Sequence, residues 1–301
     1  MGSIIKPSKS SILPVSIGLS LNDKKCYYLI WIPSESGPLV IDYGIFKHQI
    51  DSIPFDYLKD KIKDYDKNPR FSISLDSSSV KYDFFKSYDN SFINDWNKNN
   101  FYDKNFHKTY DSYLYVNDKN IFSIHILKTI KEGIILQSKK YKCDLINLGV
   151  GIFSALDGLR SLQKVDRLEK YLIIKFCKRK KIELLLIEQD QFSSYMVLKK
   201  QNLDFKIINF FGNDEKAHSM LNIIESIFNK DIFSFKSKIF YYSIGGNKDD
   251  VDFISNLKSD QIKLINLFKN LVFDENCKKK ISDLAASSYS ELGNLFRGID
   301  V

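Results

Sequence analysis

The sequence predicts an α/β protein built from two related lobes. Three observations carry that prediction. A run of three strands, a helix and a further strand opens the chain. The same order of elements recurs in its second half, and a stretch of different composition interrupts the first copy. At 301 residues the chain has ample material for two lobes with a buried core.

In the first copy, Leu13 to Leu19, Cys26 to Ile32 and Pro38 to Phe46 read as strands. The polar turns Asn22-Asp23-Lys24-Lys25 and Ser34-Glu35-Ser36-Gly37 separate them, as hairpins require. A helix-like stretch follows with Ile53, Leu58 and Ile62 on one face, before a strand at Phe71 to Leu75.

In the second copy, Tyr171 to Cys177 is a strand, Lys178 to Lys181 a turn and Ile182 to Glu188 a second strand. Phe192 to Leu198 is the third, and Phe205 to Phe211 extends the sheet. The helix after it has Asn213 as its cap, Asp214 and Glu215 against its dipole, and a stripe through Ala217, Met220, Leu221, Ile224, Ile227 and Phe228. Lys238 to Ser243 closes the unit. One and the same offset separates Val15 from Tyr171 and Cys26 from Ile182.

Between the copies, residues 65–110 are rich in Asp, Asn, Ser, Lys and aromatics. Phe71 to Leu75 and Val80 to Phe85 are strand-like, and Asp89 to Lys108 reads as a loop-rich surface stretch, ordered or not. Ser112 to Val116 is a strand and Ile121 to Lys139 reads as helix. Duplicated units of this kind are the pattern of the actin, Hsp70 and sugar-kinase (ASKHA) class, in which two RNase H-like lobes flank a cleft. Periodicity alone leaves other α/β arrangements open, and the duplication decides the choice. The expected division is a first lobe over residues 1–168, with an inserted subdomain over about 65–142, and a second lobe over 169–301. A C-terminal helix over about 282–298 is expected to pack back on the first lobe.

Composition narrows the function classes. An apolar share of 44%, with 17 Tyr and 23 Phe, argues against a disordered chain. The sequence contains no apolar run near the roughly 20 residues a membrane helix needs; Tyr27 to Ile32 and Leu145 to Val150 are typical of the longest. Met1 to Ser11 is polar and basic, unlike a secretory signal, and Lys6 stands where a myristoylation pattern wants Ser or Thr. The expectation is a soluble, cytoplasmic protein.

Cys26, Cys143, Cys177 and Cys277 are far apart, with no C-x-x-C pair and no nearby His to finish a zinc site. His48, His107, His125 and His218 are equally scattered, so no metal site is expected. The net charge is +8, which permits long-range attraction to nucleic acid, anionic lipid or an acidic partner. Acids are interleaved with the bases, and the densest cluster, Lys178-Arg179-Lys180-Lys181, reads as a solvated hairpin tip. Neither a nucleic-acid module nor a Gly-x-Ser-x-Gly nucleophile elbow is present.

From residue 13 to 298 the chain resembles the PilM family, actin-like cytoplasmic proteins of type IV pilus assembly, and the related cytoplasmic actin-like part of GspL of type II secretion. Val15-Ser16-Ile17-Gly18-Leu19-Ser20 is similar to the family's opening strand and first phosphate loop. Arg70 to Leu75 with Val80-Lys81-Tyr82 resembles the strand pair that opens the inserted subdomain, and Trp96 an aromatic before its second strand set. Cys143 to Asn147 and Phe153 to Leu156 resemble the return strand and connecting helix, and Ser243-Ile244-Gly245-Gly246-Asn247 the adenosine-side loop. Tyr289 to Gly298 is similar to the family's closing helix.

The resemblance implies candidate nucleotide contacts at Gly18, Ser20, Asn22, Gly245, Gly246 and Asn247, should a nucleotide bind. The site departs from the family pattern. Actin-class turns hold phosphate with backbone N–H groups and small residues, with a carboxylate to organise magnesium. Here Ser16 stands near the place of the first Asp, and Lys175-Phe176-Cys177-Lys178-Arg179-Lys180 replaces the Asp-x-Gly turn. No cofactor is assigned; ATP with magnesium would be the candidate, on a degenerate site. No catalytic residue is assigned either, and among the carboxylates Asp42, Asp157 and Glu188, Asp157 is the one placed to face the cleft.

The expected function is therefore a non-catalytic scaffold, peripheral at the inner membrane through its partners. It would dock the cytoplasmic tail of a pilus or secretion membrane protein in a groove between the first lobe and the inserted subdomain, with self-association open. Phe84, Phe85 and Tyr88 are candidate lining residues. An ATPase or phosphotransferase of the actin and sugar-kinase superfamily is the alternative.

Overall fold

A computed structural model describes residues 15–22, 24–47, 53–63, 65, 68–86, 104–117, 120–163, 165–166, 169–202, 204–212, 214–230, 237–246, 248–257, 259–277 and 281–297. Tyr88, Trp96, Asn213, Asn247 and Gly298 lie outside the described residues, as does most of the stretch 89–108.

The first lobe opens with β1 (Ser16–Asn22), β2 (Lys25–Ser34), β3 (Gly37–Lys47), helix α1 (Phe55–Ile62) and β4 (Arg70–Leu75). After β5 (Val80–Lys86), α2 (Lys104–Thr109), β6 (Tyr110–Asn117), β7 (Asn120–Leu127) and α3 (Lys128–Lys140), it returns through β8 (Asp144–Val150) and α4 (Gly151–Leu162). The second lobe follows as β9 (Tyr171–Cys177), β10 (Lys181–Glu188), β11 (Gln191–Gln201), β12 (Asp204–Phe211), α5 (Asp214–Phe228), β13 (Lys238–Ile244), α6 (Lys248–Ser255) and β14 (Ile262–Leu264). The chain ends with β15 (Val272–Phe273), α7 (Asp283–Ser287) and a 3-10 segment, Ser290–Phe296.

The strand orders show the duplication. One sheet runs β15-β3-β2-β1-β4-β8 and the other β12-β11-β10-β9-β13-β14. In each, three antiparallel strands are joined on the far side of the first strand by two parallel ones. This is the RNase H-like order, present twice, and the fold is the actin-like one expected. β5, β7 and β6 form a separate antiparallel sheet inserted in the first copy.

Burial explains why the central strands read as continuous apolar runs. Every residue of β1 is buried, because helices cover both faces of its sheet. On one face Phe55 of α1 meets Phe71 of β4 and Tyr141 beyond α3. On the other, α4 and the 3-10 segment pack so closely that a Cβ on Gly158 would lie 2.7 Å from Gly293 Cα. The second sheet alternates instead. Leu172, Ile174, Leu184 and Met196 face Met220, Ile224 and Ile227 of α5, whereas Tyr171, Ile173, Leu185 and Tyr195 join the core shared with the first lobe.

Three expectations are corrected. Residues 121–139, read as one helix, are strand β7 followed by helix α3. β7 is the middle strand of its sheet and is buried on both faces from Ile121 to Ile126; its alternation, Phe122-Ser123-Ile124-His125-Ile126, runs directly into α3 with no turn residue between, so the two elements read as one. The range 65–142 takes in β4, a strand of the first sheet between β1 and β8; the inserted sheet itself spans Val80 to Leu127. The single helix over 282–298 is instead short α7, capped by Ser282 Oγ on Ala285 N at 3.3 Å, followed by the 3-10 segment. That segment lies against β1, β4, β8 and α4. No helix among the described residues is long and apolar enough to cross a membrane.

Candidate functional site

The cleft between the two main sheets is an opening of about 360 Å³. The first lobe contributes Leu21, Asn22, Asp76, Ser78 and Ser79; the second contributes Lys175, Lys178, Arg179, Lys181 and Glu183. Its floor is a buried ion cluster. Lys175, in the middle of the apolar strand β9, places Nζ 2.6 Å from Glu291 Oε1 and 3.8 Å from Glu183 Oε2. Lys181 Nζ reaches Glu183 Oε1 at 2.8 Å. Lys175, Glu183 and Glu291 are all buried.

Hydroxyls and an amide complete the cluster from both lobes. Ser77 Oγ, just after β4, donates to Glu183 Oε2 at 2.7 Å, crossing from the first lobe to the second. Tyr242 Oη donates to Glu291 Oε1 at 3.0 Å. Ser20 Oγ (3.4 Å) and Asn22 Nδ2 (3.3 Å) donate to Glu291 Oε2, and Asn22 Nδ2 also donates to Ser20 Oγ at 2.6 Å. Two cations and two carboxylates balance within this space.

The charge states follow from burial and pairing. Burial would depress the Lys175 ammonium, but the carboxylates of Glu183 and Glu291 outweigh it and hold it well above the ordinary lysine value. Burial would raise Glu183, yet Lys175 and Lys181 pull it down to about 2. Burial raises Glu291, against the pull of Lys175.

The predicted nucleotide contacts divide into two groups. Ser20 and Asn22 converge on Glu291. Gly18 lies beneath the C-terminal segment, where a Cβ would come 2.9 Å from Leu295 Cδ2. Gly245, at φ 64°, and Gly246 pack on the second hairpin: a Cβ on Gly245 would meet Lys178 and one on Gly246 would meet Phe176. Each glycine is thus accounted for by a close contact within the chain, and none of the three lines the cleft.

The second turn carries Arg179 and Lys180 with φ of 57° and 60°, a left-handed pair that closes the β9–β10 hairpin. It presents exposed cations at the cleft mouth rather than a glycine cradle. Magnesium wants unpaired oxygen donors. Glu183 and Glu291, on the cleft floor, are bonded to internal ammonium groups, which leaves Asp76, whose Oδ1 accepts from Ser78 N at 2.9 Å, as the lining carboxylate without a lysine partner among the described residues. No group of three or more His, Cys, Asp or Glu able to hold a metal occurs among the described residues.

The other carboxylates lie elsewhere. Asp42 pairs with Lys61 and accepts from Tyr28 Oη at 3.2 Å. Glu188 pairs with Lys216 and, at 2.8 Å, with Lys170. Asp157, expected at the nucleotide cleft, lines a different opening. This groove of about 330 Å³ runs between the first lobe and the inserted sheet, with Tyr113, Ile124 and Ile126 on one wall and Leu148, Val150 and Phe153 on the other. Phe84 packs into the core rather than lining the groove. Phe85, paired across from Ile121, is not among the lining residues either.

On the opposite face of the inserted sheet, buried His125 bonds Ser112 Oγ through Nδ1 at 2.7 Å and meets Asp83 Oδ2 through Nε2 at 3.1 Å. The ring of Phe106 covers it, as fits a packed polar cluster. Burial raises the Cys26 thiol to about 12 and the Cys143 thiol to about 11, so both are poor nucleophiles.

Sequence reasoning missed the ion cluster. Its signal was present in part: Lys175 interrupts an apolar strand, and the hairpin register sets it directly opposite Glu183. Glu291 had no such signal.

No protein-family model matches the chain, and no curated protein matches it either. Solved structures do. A chain described as a PilM-PilN type IV pilus biogenesis complex matches with a TM-score of 0.57 and 10% identity, over 95% of this chain and 99% of that one. The cytoplasmic domain of EpsL, an inner membrane component of the type II secretion system of Vibrio cholerae, matches with a TM-score of 0.41 and 10% identity, over 91% and 93%. A Bacteroides thetaiotaomicron protein with an actin-like ATPase fold and unknown function matches with a TM-score of 0.41 and 10% identity, over 86% and 93%.

Proposed function

We propose that the chain is a non-catalytic actin-like scaffold on the cytoplasmic side of a pilus or secretion assembly platform. Its task would be to hold the cytoplasmic tail of an inner-membrane protein, which would keep it peripheral at that membrane. The observation that carries this reading is the ion cluster on the cleft floor. Lys175 stands where a nucleotide-using relative would offer a carboxylate to magnesium, and both neighbouring glutamates are committed to it. A cleft floor bridged from within by charge and hydrogen bonds fixes the two lobes without a nucleotide clamp.

The groove between the first lobe and the inserted sheet supports the docking half of the reading. Its walls are apolar, and β8 and β6 are the outermost strands of their sheets, so an extended peptide could add to an edge while its side chains fill the groove. The fold likeness to a chain of the PilM-PilN complex supports the choice of partner class.

Titration calorimetry with ATP and magnesium tests the non-catalytic half, on the intact protein and on a Lys178/Arg179/Lys180 triple-alanine variant. The expected result is no heat at millimolar nucleotide beyond a weak, salt-sensitive attraction that the variant lacks. Micromolar binding, or ATP turnover at an enzyme-like rate, would overturn it in favour of an ATPase or phosphotransferase.

A further inference from the structure

The groove beside the inserted sheet is apolar along both walls and includes two charged residues. Asp157 of α4 and Arg297, just past the 3-10 segment, are its charged lining residues. Asp157 is half-buried, and among the described residues it makes no hydrogen bond and no ion pair within 4 Å. Arg160, one turn on along α4, is engaged with Asp190, at 2.6 Å from its Oδ1.

Resting on the docking reading above, we infer that the segment this groove accepts carries a basic side chain that seats against Asp157, with apolar residues filling the walls. A carboxylate that has lost much of its water and gained no donor is a poor neighbour for an apolar or acidic side chain. It is a good one for a cation, which would bring both the charge and the hydrogen bonds that are missing. Burial raises the Asp157 carboxyl, with Arg297 and Arg160 opposing from a distance, as expected for a group desolvated but not directly paired.

An extended segment places alternate side chains on one side at roughly 7 Å intervals. Such a segment would set its apolar side chains against Ile124, Ile126 and Phe153 and its basic one against Asp157.

The test is a random dodecapeptide library displayed on phage and selected on the immobilised full chain, with enriched peptides titrated by fluorescence polarisation. The expected outcome is enrichment of alternating apolar residues with Lys or Arg at one fixed position. Asp157→Asn should then weaken those peptides by more than about tenfold. Arg297→Ala should tighten them, since it removes a like charge from the basic residue's neighbourhood. Asp157→Lys should switch preference to peptides with Glu at that position.

If enriched peptides lose affinity with Tyr113→Ala in the exposed wall but not with Asp157→Asn, the basic-residue inference falls and the docking reading stands. If no enriched peptide responds to any groove variant, both fall.

Discussion

Lys175 Nζ lies 2.6 Å from Glu291 Oε1, which ties the central strand of the second lobe to a C-terminal segment packed on the first. Removing one partner of a buried pair leaves an uncompensated charge, at a loss of about 3–5 kcal/mol, whereas replacing all partners by neutral groups of similar shape is far milder. Lys175→Ala is therefore expected to lose about that much stability in urea titration. The triple variant Lys175→Met, Glu183→Gln, Glu291→Gln should recover most of it. Near-native stability of Lys175→Ala alone would show that the cluster is not what holds the cleft.

The same cluster sets the acid limb of the stability curve. Glu183 is held down to about 2 when folded, so its contribution is fully present above its unfolded value of about 4.3 and is lost as pH falls toward 2. Glu291 works with the opposite sign: a raised carboxyl favours the fold when protonated and loses that benefit as pH rises through its folded value. Denaturation midpoints measured from pH 6 down to pH 2.5 should fall below about pH 5. Glu183→Gln should flatten that fall. Glu188→Gln should flatten it less, because Glu188 is also held to about 2 but sits at the surface, where water and salt screen its lysines.

How far the sequence was legible depends on whether its signals were local. The hairpins of β1 to β3 and β9 to β11 could be read because polar turns punctuate apolar runs, and two copies of one order exposed the duplication. β7 failed that test because its alternation, Phe122-Ser123-Ile124-His125-Ile126, passes straight into α3 at Lys128 with no turn residue to mark the boundary. The ion cluster was half legible, through the Lys175 and Glu183 register, and half hidden, since only the return of the chain over the first lobe brings Glu291 to them. Asp157 was placed at the wrong opening for a similar reason. Which side of α4 faces the groove is set by the inserted sheet, whose extent the sequence did not reveal.

Phe122 is the ring on which the inserted sheet and both lobes meet. It contacts Tyr82 of β5, Phe153 of α4, and Phe192 of β11 with centroids 4.3 Å apart. Phe122→Ala should lose about 3–5 kcal/mol, as deletion of a fully buried ring does. Hydrogen exchange should then rise together in β5, β7 and β11. A rise confined to β7 would mean that the inserted sheet is held by its own strands and not by this ring.

A pair of glycines separates close packing from helix propensity. Gly293 in the 3-10 segment sits on Gly158 of α4, and a Cβ added to it would overlap Ser154 O and the Gly158 backbone, atoms that cannot swing aside. Gly133 lies inside α3 with nothing within 4 Å of the position its Cβ would take. Gly293→Ala is thus expected to lose at least about 1–3 kcal/mol by forcing α4 and the C-terminal segment apart. Gly133→Ala should gain about 0.5–1 kcal/mol by restricting the unfolded chain and favouring the helix. Thermal melts of the two variants beside the native chain decide the matter. If Gly293→Ala melts with the native protein, the helix and the segment are not in backbone contact, and Glu291 would then have no fixed approach to Lys175.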